Sequence, residues 1–232
     1  MICPFCANSN TASFDGTRFL HCDGCGLFIK NIPSSKSALK IKNKGFLLST
    51  CQRENPGEDR IKNADKQLDV LERHVSPGIV YDVGAAAGFF MKAARDRGWT
   101  VYGNEISERA IEWAKNHYGI NIDYGFLEDL AIPESHFDAV VLWNILEHTY
   151  NPKATLEVCR KILKSGGLIF IRVPNKKTKE ELVRFYTGRH LFEFTEKCLT
   201  GHLEAMGFKY VERNAGHNPK SGVPHCDYLY RK

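Results

Sequence analysis

No apolar stretch in this chain is long enough to cross a bilayer. Runs such as Ala139–Trp143 and Leu168–Ile171 fall far short of the roughly 18 residues a membrane span needs. The opening Met1-Ile2-Cys3-Pro4-Phe5-Cys6 lacks a basic region followed by an apolar core, so no secretory signal is expected and the cytoplasm is the expected compartment. Strong charge of one sign is also missing: 32 Lys and Arg stand against 27 Asp and Glu, a formal net charge of +5. The pI near 8.7 is below the value above about 9 that marks a nucleic-acid-binding domain by charge alone, so RNA stays open without being favoured. No internal repeat is present. With 43% hydrophobic and 25% charged residues the chain is not disordered, and 232 residues allow one full α/β domain with a small appendage.

Cysteine, by contrast, is plentiful, at eight residues, and a chain without a secretory signal uses thiols for metal or leaves them free rather than pairing them as disulfides. Cys3 and Cys6, then Cys22 and Cys25, form C-x2-C, fifteen intervening residues, and C-x2-C. Two such turns supply the four tetrahedral sulfurs of a structural zinc site and leave no open position for a reacting water. Gly24 and Gly26 suit the second turn. Residues 1–30 carry too little apolar material to fold alone, so metal binding is expected to supply much of their folding free energy. Unrelated buried thiols and an iron–sulfur centre are the alternatives. Cys51, Cys159, Cys198 and Cys226 follow no pairing pattern.

Residues 31–58 read as a linker or basic flap: Lys30, Lys36, Lys40, Lys42 and Lys44 occur with no acidic residue among them, a composition more often solvated surface than binding site. Strands and helices then alternate. Ile61, Leu68, Val70 and Leu71 mark a helix ending before Pro77-Gly78. Ile79–Val83 is a strand, Phe89–Arg97 a helix, Trp99–Gly103 a strand, Glu108–His117 a helix, and Ile120–Tyr124 and Phe137–Trp143 further strands. Ala154–Leu163 is a helix stopped by Ser165-Gly166-Gly167, and Leu168–Val173 is a strand. A helix over Glu196–Met206 and strands over Lys209–Arg213 and Tyr228–Arg231 complete the pattern. This alternation predicts an α/β, doubly wound, Rossmann-like sheet over 59–232 behind a small zinc ribbon at 1–30.

In such a sheet the ligand sits at the carboxyl ends of the strands, so the first strand-to-helix turn, Gly84 to Gly88, is the place to look. Its small residues let the backbone approach a ligand, and the following helix offers unpaired N–H groups. Glu105 ends the next strand at about the offset where an acid accepts hydrogen bonds from a ribose diol. The glycines at 84 and 88 do not make the G-x-G-x-x-G of a dinucleotide enzyme, which disfavours hydride chemistry.

From Val80-Tyr81-Asp82-Val83-Gly84 through Gly88-Phe89-Phe90 the sequence resembles the first motif of class I S-adenosylmethionine-dependent methyltransferases. Glu105, the segment Gly125–Leu130, the strand Phe137–Val141 with Trp143-Asn144-Ile145-Leu146-Glu147-His148, and Leu163–Leu168 with Val173-Pro174-Asn175 match later parts of that pattern in order. His190–Thr195 and Met206-Gly207-Phe208 look like the ubiquinone-biosynthesis type of small-molecule enzyme. The resemblance covers about residues 60–232. It implies cofactor contacts at Asp82, Gly84, Ala85, Gly88, Glu105, Ile106, Leu127, Glu128, Trp143 and Asn144. Two departures stand out. Ala86 replaces the mid-turn glycine of many members, so the turn is expected to take a conformation that tolerates a Cβ. Phe126 replaces an aspartate that holds adenine, leaving recognition to the backbone of Leu127 and Glu128.

Methyl transfer from a sulfonium is an in-line displacement in which the protein positions the acceptor and excludes water. His148, after the fourth strand, is the first candidate base, with His190 second; the alternative is that Glu147 and His148 brace the next helix. Asn144 stands where some members carry an acid that binds a divalent cation, so no catalytic metal is expected. The basic and aromatic stretch Arg184–Arg189, with Lys176, Lys177 and Lys179, suits either a lid over an anionic acceptor or ordinary packing. A small-molecule acceptor is the leading expectation. A zinc-ribbon RNA methyltransferase, whose amino-group class would carry an Asn-Pro-Pro-Tyr type motif absent here, is the alternative, and a non-catalytic zinc-dependent scaffold the third.

Overall fold

The computed structural model describes residues 2–14, 19–30, 57–175, 181–182, 190–217 and 222–232. The basic stretch beyond Lys30, Cys51, Lys176, Lys177, Lys179 and Arg184–Arg189 lie outside them. Elements in chain order are β1 (Thr11–Ser13), β2 (Leu20–Cys22), β3 (Phe28–Ile29), α1 (Glu58–Glu72), β4 (Ile79–Val83), α2 (Phe89–Asp96), β5 (Thr100–Glu105), α3 (Glu108–Tyr118), β6 (Asp123–Tyr124), β7 (Phe137–Trp143), α4 (Pro152–Ile162), β8 (Leu163–Pro174), β9 (Phe192–Glu193), α5 (Glu196–Ala205), β10 (Lys209–His217) and β11 (Pro224–Arg231). The larger sheet has the strand order β10-β11-β8-β7-β4-β5-β6. It is an α/β Rossmann-like sheet, mostly parallel, as expected.

The chain divides into two compact units. One comprises Lys40–Leu142, Val158–Phe170 and Lys232. Here β4 pairs in parallel with β5 and β7, and β5 with β6, so the chain steps outward from β4 and then returns to its other side. That return creates the switch point where α/β sheets bind ligands. The central strands read as unbroken apolar runs because both faces are covered: Ala139, Val140, Val141 and Leu142 are all fully buried. On α1 the buried Ala64, Gln67, Leu68 and Leu71 recur at helical spacing on one face. Arg97, just after α2, ties back to that helix through Asp69 at 2.8 Å and Glu72 at 2.5 Å.

The other unit comprises Met1–Leu39, Trp143–Glu157 and Ile171–Arg231. It contains a small antiparallel sheet of order β1-β2-β3-β9 and the long antiparallel pair β10 and β11. Thr195 caps α5, its hydroxyl accepting the Cys198 N–H at 3.2 Å.

Three expectations need correction. The turn expected at Ser165–Gly167 lies inside β8, which starts at Leu163. Gly166, at φ 78°, donates its N–H to the Lys232 carbonyl, and the Lys232 N–H bonds Gly167 O at 2.9 Å, so pairing with the distant end of the chain overrides the local turn signal. The strand expected over Ile120–Tyr124 shrinks to Asp123–Tyr124, because Ile120 and Ile122 pack with Ala85, Met91 and Ala114 instead. Finally, β10 and β11 extend well past the expected strands, each stabilised by the other. Among the described residues no helix is long and apolar enough to cross a membrane.

Candidate functional site

At the carboxyl end of β4 the register places Val83 opposite both Asn104 and Leu142. The chain then turns through Gly84, Ala86 and Gly88, all left-handed at φ 66°, 51° and 72°. Glycine meets that requirement without strain, whereas alanine does so at a cost. The expectation that Ala86 would avoid positive φ is therefore overturned. The strain is held by hydrogen bonds: the Ala85 N–H reaches Asn104 O at 2.9 Å and the Gly88 N–H reaches Ala85 O at 2.9 Å. The Ala86 N–H donates to Glu105 Oε2 at 2.9 Å. The other Glu105 oxygen accepts the N–H groups of Ile106 at 2.7 Å and Ser107 at 2.9 Å.

Asp82 and Glu105, 3% and 8% exposed, form a buried acidic pair beneath this turn. Burial, and then the charge of Glu105, push the Asp82 pKa well above the usual carboxylate range. Burial also pushes Glu105 up, opposed by its three backbone donors. Close backbone approach is built in at Gly103, where a Cβ would sit 2.6 Å from the Asp82 carbonyl oxygen. The segment after β6 is tied to the same acid: the Gly125 N–H bonds Glu105 O at 3.0 Å, and Asn104 Nδ2 donates to Gly125 O at 3.0 Å. From there a 3-10 turn carries Leu127, buried, and Glu128. The structure thus brings together Asp82, Gly84, Ala85, Gly88, Glu105, Ile106, Leu127 and Glu128 in one unit. Trp143 and Asn144 belong to the other unit. There Asn144 is left-handed at φ 55° with its N–H on Arg172 O. The Arg172 guanidinium lies 5.7 Å from the Trp143 ring centroid and is paired with Asp227.

That second unit also assembles a cluster from two distant stretches. Glu147, fully buried, and His148 sit on a 3-10 turn after β7. His190 joins them, its ring 4.9 Å from that of His148 at 80°. Ligand atoms of Glu147, His148 and His190 lie within 4.8 Å of one another, so the set can hold a divalent cation as well as a proton. His190 Nδ1 is 2.7 Å from Glu193 Oε1, and Glu193 is 3% exposed. Sequence reasoning missed Glu193; its only signal was a lone acid inside the apolar Leu191-Phe192-Glu193-Phe194, where an unpaired carboxyl is costly.

The four N-terminal cysteines converge as expected. Cys3 and Cys25 Sγ are 3.8 Å apart, Cys6 and Cys22 Sγ 3.5 Å, against about 3.8 Å for sulfurs bound tetrahedrally at about 2.3 Å from zinc. The two turns repeat one geometry. Cys3 N–H bonds Asn8 O and Ala7 N–H bonds Cys3 O; equivalently, Cys22 N–H bonds Leu27 O and Gly26 N–H bonds Cys22 O. Ala7 and Gly26, the matching positions, are both left-handed.

Comparison with known proteins accords with this geometry. Residues 57–213 match the family model described as a methyltransferase domain. A ubiquinone biosynthesis O-methyltransferase of Idiomarina loihiensis is 34% identical over 146 residues, 59% of this chain and 60% of that protein. The enzyme of the same name from Neisseria meningitidis is 32% identical over 141 residues, 56% of this chain and 59% of that protein. The matched region thus spans about 60% of the length of these relatives. Among solved structures, Burkholderia thailandensis 1,6-didemethyltoxoflavin-N1-methyltransferase, with 1,6-didemethyltoxoflavin and S-adenosylhomocysteine bound, superposes with TM-score 0.66 at 18% identity, over 97% of this chain and 99% of that one. The N-methyltransferase NodS of Bradyrhizobium japonicum gives TM-score 0.65 at 16% identity, over 82% and 98%.

Proposed function

The chain belongs to the methyltransferase-domain family, and on that premise we propose that it is an enzyme transferring a methyl group from S-adenosylmethionine to a small-molecule acceptor. The observation that carries this reading is the buried pair Asp82 and Glu105 at the ends of adjacent strands, with Glu105 bonded to the glycine-flanked turn. S-adenosylmethionine is a cation with a ribose diol. The bound cation favours the ionised form of Asp82 that burial alone disfavours, so its charge and the Asp82 carboxylate offset one another, and Glu105 Oε2 keeps a lone pair for a ribose hydroxyl beyond the one given to Ala86. Gly84, Ala85 and Gly88 let the backbone close on the methionine part, Ile106 flanks the ribose, and backbone groups of Leu127 and Glu128 receive the adenine.

Transfer breaks the sulfonium carbon–sulfur bond as the acceptor's electron pair forms the new bond to the methyl carbon, and neutral S-adenosylhomocysteine departs. Where the acceptor must lose a proton, His148 takes it, with His190 as the second basic group. The Sγ spacing supports zinc at Cys3, Cys6, Cys22 and Cys25, a structural ion that completes the fold of a segment with little core of its own.

The test is incubation with methyl-labelled S-adenosylmethionine and a cell extract, followed by fractionation. Label among small molecules is the expected result. RNase-sensitive label would move the acceptor to RNA and give the basic stretch after Lys30 a role. No label, together with no affinity for S-adenosylhomocysteine, would overturn the reading in favour of a scaffold.

A further inference from the structure

The zinc-binding segment and the histidine cluster meet through shared backbone. Strand β3 follows the Cys22–Cys25 turn directly and pairs antiparallel with β9, Phe28 opposite Glu193 and Ile29 opposite Phe192. The Lys30 N–H donates to Leu191 O at 2.8 Å, and the Leu191 N–H donates to Glu147 O at 2.8 Å. The peptide groups of residue 191 are thus bonded on one side to the ribbon and on the other to the turn that carries His148. The first cysteine turn adds side-chain packing: Phe5, between Cys3 and Cys6, stacks on His202 of α5 at 3.9 Å and meets Phe194 edge-on at 5.5 Å.

The direction of dependence follows from size. In its sheet β9 has only β3 as a neighbour among the described residues, and a strand of two residues has no stability of its own. The ribbon contributes strands of three, three and two residues, too small a core to hold itself without a metal. What β9 carries is the buried Glu193, whose Oε1 meets His190 Nδ1 at 2.7 Å. A buried carboxylate that accepts this hydrogen bond fixes the neutral imidazole as the Nδ1–H tautomer and leaves Nε2 with a free electron pair.

We propose that Glu193 is the positioning residue for His190, and that the four-cysteine ribbon, with zinc in place, holds Glu193 there through β3, so that the ribbon is a working part of the acceptor site rather than an appended module. The proposal rests on the reading of His148 and His190 as acceptor-site residues. Zinc occupancy then governs the state of His190 without entering the cofactor cradle, whose hydrogen bonds from Ala85 through Gly125 close within the other unit.

The experiment uses the full chain, labelled with nitrogen-15 in the histidine rings, with a His190→Gln variant to assign the signal. Zinc-loaded protein should show His190 protonated at Nδ1 alone. Glu193→Gln should turn this into a tautomer mixture with the zinc still bound. Stripping zinc with a chelator should do the same, and adding zinc back should restore the single tautomer. In each form the dissociation constant of S-adenosylhomocysteine, measured by calorimetry, should stay within twofold. An unchanged Nδ1–H signal in Glu193→Gln overturns the positioning role, and an unchanged signal in the stripped protein overturns the coupling to the ribbon. Failure of untreated protein to bind S-adenosylhomocysteine is a different outcome, which overturns the methyltransferase reading itself.

Discussion

Glu105 Oε2 accepts the backbone N–H of Ala86 at 2.9 Å, so the acid at the end of β5 holds in place the one non-glycine residue that the turn after β4 forces to positive φ between Gly84 and Gly88. The acid therefore clamps the turn, and in the proposed function it has a second task, receiving the ribose. Replacing Glu105 by Ala removes both and should weaken S-adenosylhomocysteine binding by about 1–3 kcal/mol, the scale of a lost charged hydrogen bond. Glu105→Gln keeps an acceptor for Ala86 and should lose less. Calorimetric affinities equal to wild type in both variants would remove Glu105 from the cofactor site.

Ala86 itself gives the next prediction. An alanine held at φ 51° carries a steric cost of about 1–2 kcal/mol that glycine avoids, partly offset by the greater backbone entropy glycine loses on folding, about 0.5–1 kcal/mol. Ala86→Gly should be neutral to stabilising by up to about 1 kcal/mol in denaturant unfolding, with cofactor affinity retained. A destabilisation of similar size would mean that the Cβ of Ala86 makes contacts worth more than the strain.

Asp82 links function to stability through pH. Its native pKa is raised by burial and by Glu105, so between the unfolded value of about 3.9 and the raised native value the folded state binds more protons than the unfolded one. The stabilising contribution of this group is complete below about pH 4 and is lost as pH rises through the native value. Asp82→Asn removes the titration. The variant should be more stable than wild type by a margin that widens with pH above about 4, while its affinity for the cationic cofactor falls more than its affinity for neutral S-adenosylhomocysteine. A stability difference independent of pH would show that Asp82 is not held protonated by its surroundings.

What the sequence disclosed and what it hid divide along one physical line. The strand Ile79–Val83, the small turn behind it and Glu105 were legible because an apolar run, a loop of tiny residues and an acid at a fixed offset are written next to one another. The cysteine turns were legible for the same reason, each being closed by bonds within a few residues, such as Ala7 N–H to Cys3 O. The start of β8 was not, because Gly166 and Gly167 take their partner from Lys232. Nor was the pairing of β3 with β9, two strands of two residues each far apart in the chain. Glu193 was hidden with it: its importance comes from His190 and from burial, and neither is visible in Phe192-Glu193-Phe194.

His148 offers the most direct test of chemistry. If it removes a proton from the acceptor during transfer, His148→Gln should lower the turnover rate by about 10² to 10⁴-fold, the usual range for a general base. The cofactor should bind as before, since the role proposed for His148 is toward the acceptor and not toward the cofactor. The rate of wild type should fall on the acid side of its pH profile as the imidazole is protonated, and the variant should lose that limb. If His148 instead only braces the turn above Leu191, through the Glu147 carbonyl that accepts the Leu191 N–H, the variant should lose thermal stability while the surviving activity keeps the wild-type pH profile. The shape of the profile, more than the size of the rate loss, therefore decides between base and brace.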